Sequence, residues 1–179
     1  MVAPNVVAAT KQRTNNTVAF EKVYLGLGAN LNDPISQLKQ AITALEQLGG
    51  TRAHRCSALY ASKPMGPQDQ PDYVNAVMEL ECELPPHALL DATQAIELKL
   101  GRVRKEERWG PRTLDIDIIL FGDKQLDDER LTVPHYGMKE REFVLYPLLE
   151  LAPELALPDG TSVSSLTTNV PRNGLEQIQ

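Results

Sequence analysis

Between Thr113 and Phe121, Leu114, Ile116, Ile118 and Leu120 take turns with Asp115 and Asp117. A period of two marks a strand that buries one face. This segment therefore commits the chain to a sheet with a core on one side and two carboxylates on the other. At the usual strand rise, residues i and i+2 stand about 6.5 to 7 Å apart, close enough for both carboxylates to converge on one hard cation or to bridge two. Asp is depleted in strands, so a merely solvated face is the weaker explanation. Oxygen donors suit magnesium, which is commonly held by one or two carboxylates together with substrate phosphates. Two such ions about 3.5 to 4 Å apart can clamp the attacking and leaving oxygens of an in-line displacement.

Just upstream, Arg102, Arg104, Lys105, Arg108 and Arg112 crowd into eleven residues against only Glu106 and Glu107, five positive charges to two negative. The chain as a whole carries a formal net charge of -6 and a pI near 5.1. A nucleic-acid binder usually shows a basic face and a high pI. Positive charge focused beside Trp109 and two Asp fits a compact polyphosphate with its own metal better. Only Cys56 and Cys82 are present, without a C-x-x-C or histidines at zinc spacing, so neither a disulfide framework nor a structural zinc is indicated. A reducing cytoplasm is the expected location.

The length, 179 residues, suits one domain with a real core. Residues 1–10 lack a basic n-region and are interrupted by Pro4 and Asn5, a poor signal peptide and too short a run to span a membrane. The expected organisation is a flexible extension over 1–20, a domain over 21–165 and a tail over 166–179. Val23 to Leu27 reads as a strand leading into Gly26-x-Gly28-x-Asn30, which a tight strand exit explains as well as phosphate binding. Asn32 or Asp33 then caps a helix with Pro34 in its first turn and Ile35, Leu38, Ile42 and Leu45 inward, as far as Gly49-Gly50.

Arg52 to Tyr60 reads as a second strand and Tyr73 to Glu83 as a third, separated by a loop of a length that is usually functional. Pro85 to Leu100 reads as a helix with Leu89, Leu90, Thr93, Ile96 and Leu100 inward. After the Asp strand come a turn at Gly122-Asp123-Lys124, a short segment near Leu131 to Val133 and a helix over Phe143 to Leu151 that contains Pro147. The order strand, helix, strand, strand, helix, strand predicts an α+β fold: a ferredoxin-like split βαβ sandwich, mainly antiparallel, with helices on one face and the active site on the other. A doubly wound parallel sheet fits less well, because no helix separates the second and third strands.

Tyr73 and Asn75, again at i and i+2, place an aromatic ring and a carboxamide on one face, a pair suited to a planar heterocycle. A surface Tyr and a strand-end Asn explain them equally well without further context. Phe143 can supply a second stacking surface, although burial in the core is the more common fate of a Phe. His54 and His87 have no identifiable partners, whereas His135 lies in a segment, Arg130 to Tyr136, where an Arg, a Thr, a His and a Tyr can contact a nucleotide. By itself that segment reads as an ordinary loop.

The runs GLGANL (26–31), KPMGPQDQPDYVN (63–75), RWGPRTLDIDII (108–119) and LTVPHYGMKER (131–141) together resemble the 6-hydroxymethyl-7,8-dihydropterin pyrophosphokinase family over about residues 20–160. The resemblance implies an enzyme that transfers a diphosphate from ATP to the pterin hydroxymethyl group in folate biosynthesis, releasing AMP and using two magnesium ions. Asp115 and Asp117 match the family's metal ligands. Gln94, Glu97, Arg104, Arg108, Trp109, Arg112, Ile118, Arg130, Thr132, His135, Tyr136 and Arg141 stand where the family contacts ATP or its loops. Gly28, Ser62, Met65, Tyr73, Asn75 and Phe143 stand at pterin positions, and Arg102 on a catalytic loop. Ser62 replaces the family's usual Thr, and Lys63 is an unusual neighbour.

The expected mechanism rests on positioning and charge neutralisation, with Arg102 and Arg112 stabilising the breaking phosphate bridge and no dedicated general base. The expected partners are two small molecules, without nucleic acid or membrane, and the expected form is a monomer with this single function. Two alternatives remain at this level, a magnesium-dependent phosphohydrolase and a non-catalytic nucleotide-binding module. The Tyr73 and Asn75 pocket argues against the first, and the intact Asp pair against the second.

Overall fold

The computed structural model describes residues 18–103 and 110–179. The central strands are β1 (Glu21–Ala29), β4 (Tyr73–Cys82) and β5 (Asp115–Phe121), joined at one flank by β2 (Thr51–Cys56), β3 (Tyr60–Ser62) and β8 (Glu176–Gln177). Helices α1 (Pro34–Glu46) and α2 (Pro86–Lys99) connect them, α3 (Glu142–Leu151) and α4 (Val163–Leu166) follow, and β6 (Leu126–Asp127) pairs with β7 (Thr132–Val133) in a small separate ribbon. The main sheet runs β5-β1-β4-β3-β8, with β2 also on β4, and every pairing is antiparallel. Strand β1 and the β2–β3 pair are thus parallel to one another and split by β4, while β4 and β5 are split by β1. This is the predicted ferredoxin-like arrangement.

Asp33 starts α1 by accepting the Ser36 N–H at 3.3 Å, and it adopts a left-handed backbone at φ 57° just ahead of Pro34. The inward stripes of α1 and α2, including Leu38, Ala41, Leu45, Leu89 and Leu90, pack on Val23, Leu25, Leu27, Met78, Leu80, Ile116 and Ile118. The period of two in each strand sends the next residues along to the opposite face. That face is not left to the site alone. Tyr24, Val77 and Ile119 are apolar there and are covered by Val144, Leu145 and Leu148 of α3, so the expectation of helices on one face holds for α1 and α2 only.

Two strand expectations need correction. The register of β5 against β1 shifts between Tyr24 and Leu25, leaving Ile119 as the extra residue of a bulge. Beyond it the alternation changes phase, so Leu120 joins the α3 side and Phe121 the helix side. The single strand expected over Arg52 to Tyr60 divides into β2 and β3. At the break Ser57 N–H donates to Val77 O at 2.9 Å, and Ser57 Oγ accepts the Val77 N–H at 3.0 Å. A side-chain oxygen therefore stands in for a missing ladder carbonyl, which keeps a buried amide paired.

Residues 166–179, which carry no readable pattern, nevertheless reach the sheet: Glu176 and Gln177 pair with Ala61 and Tyr60, and Leu175 is buried. Among the described residues no helix is long and apolar enough to cross a membrane. The break at Ser57 is open to test. Ser57→Ala leaves the Val77 N–H buried and unpaired, and is expected to cost about 1–3 kcal/mol in urea unfolding; a wild-type midpoint would remove the hydroxyl from the support of the break.

Candidate active site

The register across three strands builds the floor of the site. Asp115 faces Gly28, which faces Asn75, and one step along Asp117 faces Gly26, which faces Val77. A Cβ on Gly28 would come within 3.3 Å of Asn75 Oδ1, and one on Gly26 within 3.1 Å of Ile119 Cδ1. The two glycines thus keep the middle strand bare between flanking functional side chains. Their spacing, ambiguous in the sequence, is that of a cleft floor.

Two clefts open from this row. One is lined by Gly28, Ser62, Met65, Tyr73, Asn75 and Phe143, the six residues expected at a pterin, along with Lys63 and Arg141. The other is lined by Gln94, Glu97, Arg102, Ile118, Arg130 and Thr132. Arg112, Asp115, Asp117, His135 and Tyr136 line both. The acidic pair therefore stands where the clefts meet. Arg104, Arg108 and Trp109 lie outside the described residues.

Within the first cleft, Asn75 Nδ2 donates to Ser62 Oγ at 2.7 Å. That bond orients the amide and directs Oδ1 toward Gly28. The Tyr73 hydroxyl donates to Gly110 O at 3.0 Å, tying the ring to the basic segment, and burial is the main cause that pushes its phenol pKa up. Arg141, expected at the nucleotide, stands on this side with its guanidinium 5.4 Å from the Tyr136 ring centre and 5.9 Å from that of Phe143.

Charge in the shared region is tightly arranged. Asp115 Oδ1 accepts from Arg102 at 2.7 Å and its Oδ2 from Arg112. Arg102 also lies 2.6 Å from Glu97 Oε2, while Glu97 Oε1 accepts the Ile116 N–H at 2.7 Å. Glu97 is only 3% exposed. Although it borders the second cleft, its carboxylate serves as a buried anchor joining α2, Arg102 and the start of β5. Burial pushes its pKa up to about 7, against the pull of the Ile116 N–H and Arg102.

Asp117 keeps 40% of its side chain open, yet its carboxyl is also pushed up, first by desolvation in the cleft and then by Asp115 and Glu97. An acid crowded by other acids is the group that a divalent cation relieves most. Among the described residues no cluster of three or more His, Cys, Asp and Glu forms a cation cage. Two carboxylates on one strand face are the donor set for magnesium whose remaining ligands come from phosphates and water, so the residues fit that ion.

His135 Nδ1 accepts the Gly137 N–H at 3.1 Å, which places the ring proton on Nε2, 3.6 Å from Asp117 Oδ2. Of the other expected nucleotide contacts, Arg130 pairs with Asp91 at 2.5 Å and the Thr132 hydroxyl donates to Asp127 at 3.1 Å. The two histidines expected to lack partners have them: His54 bonds Thr51 Oγ1 and His87 bonds Asp128, each at 2.8 Å. Thr51 meets His54 at the irregularity of β2, where Ala53 takes φ 52°, and Asp128 meets His87 from the loop between β6 and β7; no sequence period encodes either.

A family model for 7,8-dihydro-6-hydroxymethylpterin-pyrophosphokinase matches residues 24–153. This chain belongs to that family. A Pseudomonas aeruginosa 2-amino-4-hydroxy-6-hydroxymethyldihydropteridine pyrophosphokinase is 53% identical over 159 residues, covering 89% of this chain and 98% of that protein. A Haemophilus influenzae protein of the same name is 53% identical over 143 residues, covering 80% and 89%. The crystal structure of wild-type Plasmodium falciparum HPPK-DHPS superposes with a TM-score of 0.64 at 14% identity, over 87% of this chain and 42% of that one. At that identity the likeness speaks for the fold alone, and the chain spans less than half of that longer protein.

In this pyrophosphokinase family member, burial first and Arg141 second lower the His135 pKa from 6.5 to about 4. Between those values the unfolded chain binds the proton and the folded one does not, so this residue's contribution to stability is present above about pH 6.5 and lost as pH falls toward 4. His135→Asn is therefore expected to flatten the loss of metal-free stability between pH 6.5 and 4, read by denaturation at each pH. A wild-type slope in the variant, or an NMR midpoint for His135 near 6.5, would contradict the neutral assignment.

Proposed function

We propose that this chain transfers the diphosphate of ATP to the hydroxymethyl group of 6-hydroxymethyl-7,8-dihydropterin, giving the pterin diphosphate and AMP, as a cytoplasmic monomer with two magnesium ions. The observation that carries this reading is the meeting of two clefts at Asp115 and Asp117. One cleft has the ring surfaces and the oriented amide that a flat heterocycle needs. The other has the arginines that a triphosphate needs.

The pterin alcohol forms a bond to the β-phosphorus while the α–β bridge breaks and AMP departs, the alcohol proton passing to solvent. Tyr73 and Phe143 present faces to the ring, and Asn75 Oδ1, held by the Ser62 bond, accepts from a ring-edge N–H. Gln94, Ile118, Arg130 and Thr132 hold the nucleotide side. Magnesium bound by Asp115 and Asp117 supplies charge neutralisation and Lewis acidity at the phosphates. Arg102 and Arg112 now satisfy Asp115; an arriving polyphosphate competes for the same planar donors and draws them toward oxygens that gain charge as the bridge breaks. His135, neutral with its proton on Nε2, is a donor rather than a base.

Incubation with ATP, Mg2+ and the pterin alcohol is expected to form AMP only when the pterin is present. ADP, or AMP without pterin, would instead indicate a hydrolase, and tight ATP binding with no product a regulatory module. Asp117→Ala is expected to lose turnover by several orders of magnitude while remaining folded; near-normal rates would defeat the role of the acidic pair. Arg112→Ala is expected to lower kcat more than it raises the KM for ATP. A change confined to KM would take that guanidinium out of the transition state.

A further inference from the structure

Phe143, Tyr146 and Glu150 recur at i, i+3 and i+7 along α3, so they share one face of that helix. Phe143 opens onto the first cleft. Two turns and about 10 Å further along, Glu150 reaches the break between β2 and β3. Its Oε1 accepts the Ala58 N–H at 2.9 Å and its Oε2 accepts the Tyr60 hydroxyl at 2.6 Å. Ala58 lies between the two strands, and there the carboxylate takes the place of a ladder carbonyl. Neither Glu150 nor its two partners lines either cleft.

Tyr60 links this contact to the ring site. It pairs with Asn75 across β3 and β4 and stands two residues before Ser62, on the same face of β3. Ser62 in turn accepts from Asn75 Nδ2. Tyr60 is 5% exposed; burial first, and then the bond to Glu150, push its phenol pKa up to about 12, so it remains a donor. Strand β3 is three residues long and has only the two-residue β8 on its outer side, a short ladder that needs support from side chains. The end of the chain laces the same seam. The Tyr146 hydroxyl donates to Val170 O at 2.9 Å, and the Leu59 N–H donates to Gln179 O at 2.8 Å.

We propose that Glu150 is a positioning residue for the pterin, a clamp that fixes α3 against β3 and so sets the width of the slot between Phe143 and the Ser62 and Asn75 pair. The inference rests on the function proposed above and deepens it at the ring site alone. A flat ring between two walls is sensitive to their separation, because a gap of about 0.5 to 1 Å already forfeits a quarter to a half of the dispersion contact. Glu150 is itself open to solvent, and an exposed side chain adds little to global stability. Its loss therefore falls on the slot rather than on the fold. Release of Tyr60 also loosens β3 behind Ser62, and with it the bond that orients the Asn75 amide.

The test measures, by calorimetry on the full chain, the Kd of the pterin alcohol with a saturating non-hydrolysable ATP analogue and Mg2+, and separately the Kd of the analogue. Glu150→Ala is expected to raise the pterin Kd about tenfold and to leave that of the analogue unchanged. Glu150→Gln keeps the reach and the geometry, its Oε1 accepting the Ala58 N–H and its Nε2 donating to the Tyr60 oxygen, and is expected to restore pterin binding to within about twofold of wild type. Tyr60→Phe removes one of the two bonds and is expected to raise the pterin Kd about threefold, with no further effect in the Glu150→Ala background; it decides the matter if Glu150→Ala does not fold. An unchanged pterin Kd, equal weakening of both ligands, or a Gln variant as weak as the Ala variant would overturn the clamp. Failure of the wild type to form pterin-dependent AMP strikes the functional reading and this inference with it, whereas an active wild type with indifferent variants strikes the Glu150 assignment alone.

Discussion

The site depends on the antiparallel register of β5, β1 and β4. Because Asp115 faces Gly28 and Gly28 faces Asn75, a metal-competent carboxylate and a heterocycle-competent amide stand on one face, one strand apart on either side of a glycine. A slip of one residue would send every one of these groups into the helix-covered core. That slip is resisted by the other face of the same strands, where Val23, Leu25, Leu27, Ile116 and Ile118 are all buried beneath α1 and α2. The hydrophobic effect on one side of the sheet thereby fixes chemistry on the other.

The bulge at Ile119 adds a second constraint. By changing the phase of β5 past Asp117, it gives α3 an apolar seat on the same face as the acids. Helix α3 can therefore bring Phe143 to the edge of the first cleft while its later turns are buried. Active-site floor and secondary core share one sheet surface, divided along its length rather than between its two sides.

Electrostatics then link the pieces. Asp115 is held by two arginines, one of which is also held by the buried Glu97, and Glu97 in turn accepts from the backbone of β5. The network places the guanidiniums beside the acidic pair before any substrate arrives, and geometry set in advance is the main resource of phosphoryl transfer. It also accounts for Glu97, whose place in the sequence matches a nucleotide contact but whose carboxylate is spent inside the protein. A glutamate facing inward on α2 is invisible to a periodicity that expects only Leu and Ile there.

What the linear chain determined was whatever depends on period and spacing: the central strands β1, β4 and β5, the shared face of Asp115 and Asp117, the pairing of Tyr73 with Asn75, the start of α1 at Asp33 and Pro34, and the family carried by the order of its motifs. Side-chain direction follows directly from backbone period, so these are legible in the sequence. What only the tertiary structure decided was contact between distant segments: Asn30 on Gln70, Pro71 and Arg112, the Ser57 oxygen completing the ladder of β4, Asp128 on His87, and the pairing of β5 with β1 whose bulge moved Leu120. Hydrogen bonds that join segments far apart in sequence leave no periodic trace, because each partner is chosen by where the fold brings the chain back upon itself.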